Sequence, residues 1–466
     1  MRGSVRPGET FGSGASFILG MHRFRLWGVV LFLLGCASVY AHAGATLLLE
    51  EPYSYDGTFA GTGHVAVYLD RVCADTPLVV RRCRAGEKGV VLSRYHGIAG
   101  HDWYAIPLIP YLYAVDHPQK IPIYADAKLE AFLRNQYRRK YLQDIAPDID
   151  NGEMPEGPWV QLVGSAYDRT SYAFQIETSA EKDDELIRIL NAAPNAGRYK
   201  LLSANCADFV RGIINFYYPG ALHRSVIGDL GVTTPKQIAK CLARYSKHHP
   251  QLQYQRFIIP QVPGTIKRSK PVRGVVESAF KAKKYMIPLL LWHPAIVGCF
   301  AAVYFTGGGF DPGRHALVFD PSRDLEPPMT AQQRVEYMNR LEQLKRGEIE
   351  GAAIEEAKWR ESAFAAEPLL DEAGRPVLRL RVGDVPVQVG LSRENILEES
   401  ESPEIARKLE LARLREELRK SPSRVANADV GKDLKLLEEL DSVQAERDRL
   451  AAERDVVELG TESKLP

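Results

Sequence analysis

The chemistry within reach of this chain centres on one cysteine and one histidine. The stretch LLSANCADFVRGIINFYYPG, Leu201 to Gly220, sets Cys206 just before an apolar pattern of helical spacing. Phe209, Val210, Ile213, Ile214 and Tyr217 share one face, and Pro219-Gly220 forms the stop. Ala204-Asn205 interrupt the preceding pattern, and asparagine is among the best N-cap residues. Cys206 is therefore expected in a first helical turn, beside unsatisfied N–H groups and the positive end of the helix dipole. That setting favours a thiolate and lowers a thiol pKa from about 8.5 to roughly 3.5–7.5. The same N–H groups, with Asn205 as the cap, are placed to hold a developing oxyanion.

A thiol nucleophile needs a base, and His64 is the natural candidate. It follows Gly61 and Gly63, which allow a close backbone approach, and it opens the strand pattern GTGHVAVYLD (61–70). A third group should orient the imidazole. KGVVLSRYHGI (88–98) reads as the partner strand and offers Ser93, Tyr95 and His96. Alternation gives His96 the side of Arg94, and Ser93 that of Tyr95. His96 ranks first, with Ser93 and Tyr95 as alternatives. The competing reading makes Cys206 a small buried hydrophobe and His64 a hydrogen-bonded turn residue.

The elements that position these residues are a mixture of strands and helices. Val65, Val67 and Leu69 face one way from the first strand, and His64, Ala66 and Tyr68 the other. DAKLEAFLRNQYRRKYLQDI (126–145) spaces Leu129, Phe132, Leu133, Tyr137 and Leu142 as a helix, with its basic residues expected opposite. SYAFQIETS (171–179) is expected as a strand, and AEKDDELIRILNAA (180–193) as a helix with acids in its first turn.

In this order, a histidine opening a strand (GHVAVYLD) and a later NC opening a helix (NCADFV), the chain resembles the circularly permuted NlpC/P60 superfamily. Ordinary papain-like enzymes carry cysteine before histidine. In the permuted branch, which includes lecithin:retinol acyltransferase-like proteins and bacterial proteins similar to lipoprotein N-acyltransferases, histidine comes first. The resemblance covers about 50–260, and its hairpin at 71–88 is long for the group. It implies an α+β, permuted papain-like thiol hydrolase core with Cys206 as nucleophile, His64 as base and no cofactor or metal.

Several other features fix the context. Lys plus Arg number 60 and Asp plus Glu 59 in 466 residues, so no global basic excess points to nucleic acid. Six cysteines without a CxxC pair suggest neither a zinc site nor a redox motif. Cys73 and Cys83 flank a short strand-like run and read either as a disulfide in an oxidising compartment or as two separate thiols. From Met21, the order of basic residues, an apolar run (Leu26–Leu34) and Ala41-His42-Ala43 follows a secretory signal. LLGC at 33–36 also resembles a lipoprotein box, and an uncleaved anchor is a third option. Export to a bacterial cell envelope is expected in each case.

Five regions follow: a signal or anchor (1–43), the thiol domain (44–262), a basic linker (263–284), an apolar segment (285–305) and a tail (306–466). The apolar segment, YMIPLLLWHPAIVGCFAAVYF, has about 21 residues, enough to cross ~30 Å of hydrocarbon. It is expected to span or embed in the membrane. A buried core helix or a re-entrant hairpin kinked at Pro288 and Pro294 is the other reading. If the thiol domain is exported, the basic residues from Lys267 to Lys284 lie outside, against the positive-inside tendency. A segment lying along an anionic surface resolves that conflict. In the tail, 330–364, 402–421 and 429–460 read as helices and 376–392 as a hairpin around Gly383-Asp384. The last helices carry a weak heptad seam, either a stalk for oligomers or a protein partner, or a solvated tail. His101-Asp102, His248-His249 and GGGF (307–310) are set aside as a non-converging pair, a solvated loop and a flexible exit.

Three functions are expected. The first is an envelope thiol acyltransferase or lipid amidase passing through an acyl-cysteine, with a membrane lipid or lipidated protein as substrate. The others are a peptidoglycan peptidase of NlpC/P60 type and a non-catalytic envelope scaffold.

Overall fold

The computed structural model describes residues 44–321 and 367–391, except 56–57, 60–61, 150–152, 197–198, 226–227, 282, 307–308, 320 and 383–384. The expected signal or anchor with Cys36 and the tail helices at 330–364, 402–421 and 429–460 lie outside the described residues. All the described residues belong to one compact unit.

Its strands are β1 (Ala45–Glu50), β2 (Ser54–Tyr55), β3 (Thr58–Phe59), β4 (His64–Leu69), β5 (Val72–Thr76), β6 (Val79–Arg82), β7 (Val90–Ser93), β8 (Tyr104–Pro107), β9 (Ser171–Ile176), β10 (Gln255–Ile259) and β11 (Leu317–Val318). Seven of them form a sheet in the order β11-β10-β9-β1-β4-β7-β8, antiparallel except for β10 and β11. The fold is thus α+β with a mixed sheet. β1 lies at its centre with all six residues buried, which explains the apolar run LLL at Leu47–Leu49: both faces are covered.

The helices are α1 (Leu108–Tyr113), α2 (Ala127–Tyr141), α3 (Ser165–Asp168), α4 (Ala180–Ala192), α5 (Cys206–Tyr217), α6 (Pro235–Tyr245), α7 (Val275–Lys281), α8 (Lys283–Trp292) and α9 (Pro294–Thr306). The sheet separates two apolar layers. On one face Leu47, Leu49, Val65, Val67 and Leu92 pack with Leu186 of α4, Cys206, Val210 and Ile214 of α5, and Ile238 and Leu242 of α6. On the other, Leu48, Ala66 and Val91 pack with α1, α2 and α3. The alternation expected along β4 is what splits the layers.

The basic residues of α2 do not all lie opposite its apolar stripe. Arg134 and Arg138 are buried with Leu129, Leu133 and Tyr137. Arg134 pairs with Glu130 and, at 2.6 Å, with Asp168; Arg138 pairs with Asp148 and donates to the Ala146 carbonyl at 2.7 Å. Satisfied charges of this kind look like a solvated face in sequence.

The long 71–88 connection is a small hairpin of β5 and β6, closed by a Cys73–Cys83 disulfide. It docks on α4 through Arg71 and Arg82, both paired with the buried Asp183 at 2.6 and 3.0 Å.

The apolar segment at 285–305 does not form a spanning helix. It is two helices, α8 of 10 residues and α9 of 13, broken at His293-Pro294. Proline fits the first position of a helix but disfavours helical backbone in the residue before it, so the break falls there. Among the described residues no helix is long and apolar enough to cross a membrane. The body also extends past residue 262. β11 lies beside β10, and the hairpin β13 (Pro376–Val382) and β14 (Val385–Gly390), with β12 (Glu367–Leu370), packs on the α2 side. Leu378 and Leu391 join that core, and the Ile123 N–H donates to the Leu391 carbonyl at 2.6 Å.

Candidate thiol site at the end of the central strands

Asn205 caps α5 as expected: its side-chain oxygen accepts from the Asp208 N–H at 3.0 Å. Its amide donates to the carbonyls of Leu201 (2.8 Å) and Thr233 (3.0 Å), so the cap is held on three sides. Asp208, one turn in, pairs with Arg224 at 2.8 Å and Arg211 at 3.2 Å and accepts from the Thr233 hydroxyl at 2.6 Å. Cys206 is the first residue of the helix, where the sequence placed it.

Its ionisation runs against expectation. Burial pushes the Cys206 thiol up to about 11; backbone hydrogen bonding from Val65, Ala207 and Cys206 itself opposes this, and the Glu50 charge adds to it. The helix-start effect is present, but desolvation of a residue only 8% exposed outweighs it. The resting group is a thiol.

Gly63 has φ +75°, and a Cβ there would stand 2.2 Å from the Glu50 carbonyl, so the turn into His64 requires glycine. His64 is buried and lies face to face with Tyr95, ring centroids 4.4 Å apart and 9° from parallel. Burial, then the Arg169 charge, holds its pKa well below the ordinary 6.5, so the imidazole is neutral. Its Nε2 has no hydrogen-bond partner among the described residues. By alternation the ring belongs to the α1–α3 side, whereas Cys206 packs with Val65 on the other. The sulfur meets the Val65 backbone, one residue along from His64. Among the described residues the two make no hydrogen bond with each other.

Of the three candidates for orienting His64, Tyr95 is the one that meets its ring. Ser93 is fully buried on the same sheet face as Tyr95. His96 does not reach His64: it is exposed and stands edge-on to Tyr199 at 5.4 Å. Its register, shared with Arg94, turns it to the Cys206 side, where Tyr199 feels the thiol and Arg94 lies 4.8 Å over the Phe209 ring. His101 and Asp102 part company as expected, His101 Nδ1 lying 3.1 Å from the Asn195 carbonyl and Asp102 pairing with Arg94. His249 stacks on Tyr245 in a turn after α6.

A buried polar group behind His64 escaped the sequence reading. Glu50 is the cross-strand partner of His64 and is fully buried. It accepts from the Tyr111 hydroxyl at 2.8 Å and pairs with Arg169 at 3.1 Å. The Tyr111 and Tyr95 hydroxyls lie 3.3 Å apart, and Arg169 sits 4.7 Å over the Tyr53 ring. Burial raises the Glu50 carboxyl, with Arg169 and Tyr111 opposing. The one available signal was an acid ending an otherwise apolar strand (LLLEE); nothing in YDRTSY singled out Arg169.

The turn before the thiol is apolar and open. Leu201 and Leu202 are 69% and 65% exposed, immediately ahead of the Asn205 cap. Comparison of the chain with protein-family models, with curated proteins and with solved structures gives no match.

Proposed function

We propose that this protein is a thiol-dependent acyl-transfer enzyme of the cell envelope, with Cys206 as nucleophile and His64 as base. The observation that carries the reading is the seating of the Cys206 sulfur at the start of α5 against the Val65 backbone, one residue along the strand from His64, whose buried imidazole is neutral. A neutral thiol and a neutral imidazole suit general-base attack. His64 takes the proton as sulfur bonds to the carbonyl carbon, the N–H groups at the start of α5 receive the oxyanion, and the proton returns to the leaving group. Because the His64 ring and Cys206 lie on opposite faces of β4, proton transfer requires the chain entering β4 at Gly63 to shift on substrate binding so that the ring reaches the Cys206 side. Exposed Leu201 and Leu202 beside the thiol favour an acyl chain over a polar stem peptide, each burying area worth ~2 kcal/mol when covered. The Cys73–Cys83 disulfide agrees with an exported protein.

The test is turnover by the full chain in detergent–phospholipid micelles, read as fatty acid released or transferred to an added amine. Cys206→Ala and His64→Ala are each expected to lose at least about a thousandfold, and Leu201→Ser/Leu202→Ser to raise KM with kcat little changed. Turnover surviving in Cys206→Ala contradicts the reading.

The buried, un-ionised thiol favours a second reading, a non-catalytic scaffold built on the same core. It predicts that Cys206 resists alkylation at neutral pH with every acyl substrate present, whereas a substrate-opened site exposes it.

A further inference from the structure

The apolar pair α8 and α9 is tethered at both ends to one body. Before it, α7 is fixed by the Val275 N–H donating to Asp229 at 2.8 Å and by Lys236–Glu277 at 2.6 Å. After it, the chain returns as β11 beside β10, with the Phe319 N–H donating to the Ile258 carbonyl at 2.8 Å. Phe280 of α7 stacks on Tyr304 of α9 at 5.0 Å, closing the base of the hairpin. The segment therefore leaves and re-enters on the same side of the protein.

The pair is apolar where it is most exposed. At the bend, Leu291 and Trp292 are 77% and 80% exposed, with Ile287, Leu290 and Ile296 exposed around them. α9 contains no charged residue, and an all-round apolar helix belongs in a core or in lipid. Lys281 stands at the base, 5.7 Å over the Tyr304 ring and paired with Glu277 at 2.7 Å, and the exposed Lys267, Lys270 and Arg314 flank the hairpin along the chain.

We infer that α8–α9 is a monotopic wedge that enters one leaflet of an anionic lipid bilayer, bend first, with the basic rim against the headgroups. At 1.5 Å per residue the arms reach ~15 and ~20 Å, short of ~30 Å of hydrocarbon, so the wedge stops within the membrane. The basic rim selects this occupant over a second copy of the chain, which would bring like charges together. The same-side return also removes the conflict with the positive-inside tendency, because nothing crosses. The inference does not depend on Cys206 being catalytic.

Cys299 of α9 is an exposed free thiol and supplies a native probe site. The full chain, with Cys36→Ser, is labelled there with a polarity-sensitive dye. It is then mixed with phosphatidylcholine vesicles, with or without phosphatidylglycerol, some carrying nitroxide quenchers on the acyl chains. The expected result is a blue shift and quenching, stronger with phosphatidylglycerol and weakened by salt. Leu291→Asp/Trp292→Asp should lower partitioning by about tenfold or more with the melting temperature unchanged, and Cys206→Ala should have no effect. A label that stays in water while the protein sediments with vesicles overturns the inference, since binding then runs through another segment. So does equal partitioning of the Asp variant, or a blue shift without vesicles that grows with protein concentration.

Discussion

The His64 imidazole lies flat on the Tyr95 phenol, 4.4 Å between centroids, and the Tyr95 hydroxyl lies 3.3 Å from that of Tyr111, which donates to Glu50. The histidine is thus oriented by a stacked ring rather than by a hydrogen-bonded side chain, and the charged group stands one residue behind. Tyr95→Phe keeps the stack and is expected to retain turnover within about threefold, at a stability cost of ~1 kcal/mol for the lost hydroxyl contact. Tyr95→Ala removes the platform, and ~3–5 kcal/mol of stability with it. Denaturant titration and steady-state kinetics on the two variants check both halves.

The Glu50–Arg169 pair gives a second prediction. Both groups are buried, so removing one partner leaves an uncompensated charge. Arg169→Met is expected to cost ~3–5 kcal/mol, and Glu50→Gln/Arg169→Met to recover most of it. Additive losses in urea titrations of the two singles and the double would show that the pair is not coupled.

A pH effect follows from His64. Burial and Arg169 hold its folded-state pKa well below 6.5, so on acidification the unfolded chain takes up this proton first. The stability conferred by the neutral imidazole is complete above pH 6.5 and is lost as the pH falls below it. His64→Gln should flatten that loss. The raised Glu50 carboxyl has the opposite slope but is present in both proteins, so the difference in urea midpoints between pH 7.5 and 5 isolates His64. Parallel pH profiles for the two proteins would mean the histidine is not held neutral.

The hairpin disulfide closes a short loop, its cysteines 10 residues apart. Reduction is expected to cost ~3 kcal/mol, with the loss centred on β5, β6 and their contact with α4. Hydrogen exchange in reduced and oxidised protein checks it. Protection lost evenly across the sheet would contradict a local role.

Much of this architecture was legible because it rests on short-range rules. Asn205 before Cys206 announced the helix start, alternation in HVAVYL placed Val65 and His64 on opposite faces, and Gly63 marked the tight entry. What escaped was long-range. The upward shift of the Cys206 thiol comes from burial under β4, and the Glu50–Arg169 pair joins residues over a hundred positions apart. His96 outranked Tyr95 on chemistry, but stacking on His64 is decided by register. The apolar segment had the composition to span a membrane, and its prolines also allowed a kinked hairpin; the choice between the two, and the return to β11, show only in three dimensions.

The most direct test of the central claim is mass spectrometry of the full chain after incubation with phospholipid micelles, beside Cys206→Ser. The account predicts an acyl mass on the Cys206 peptide, released by neutral hydroxylamine as a thioester is, and a hydroxylamine-resistant or absent adduct on Cys206→Ser. An unmodified Cys206 peptide under conditions of measurable turnover, or an adduct equally present on Cys206→Ser and equally labile, would contradict it.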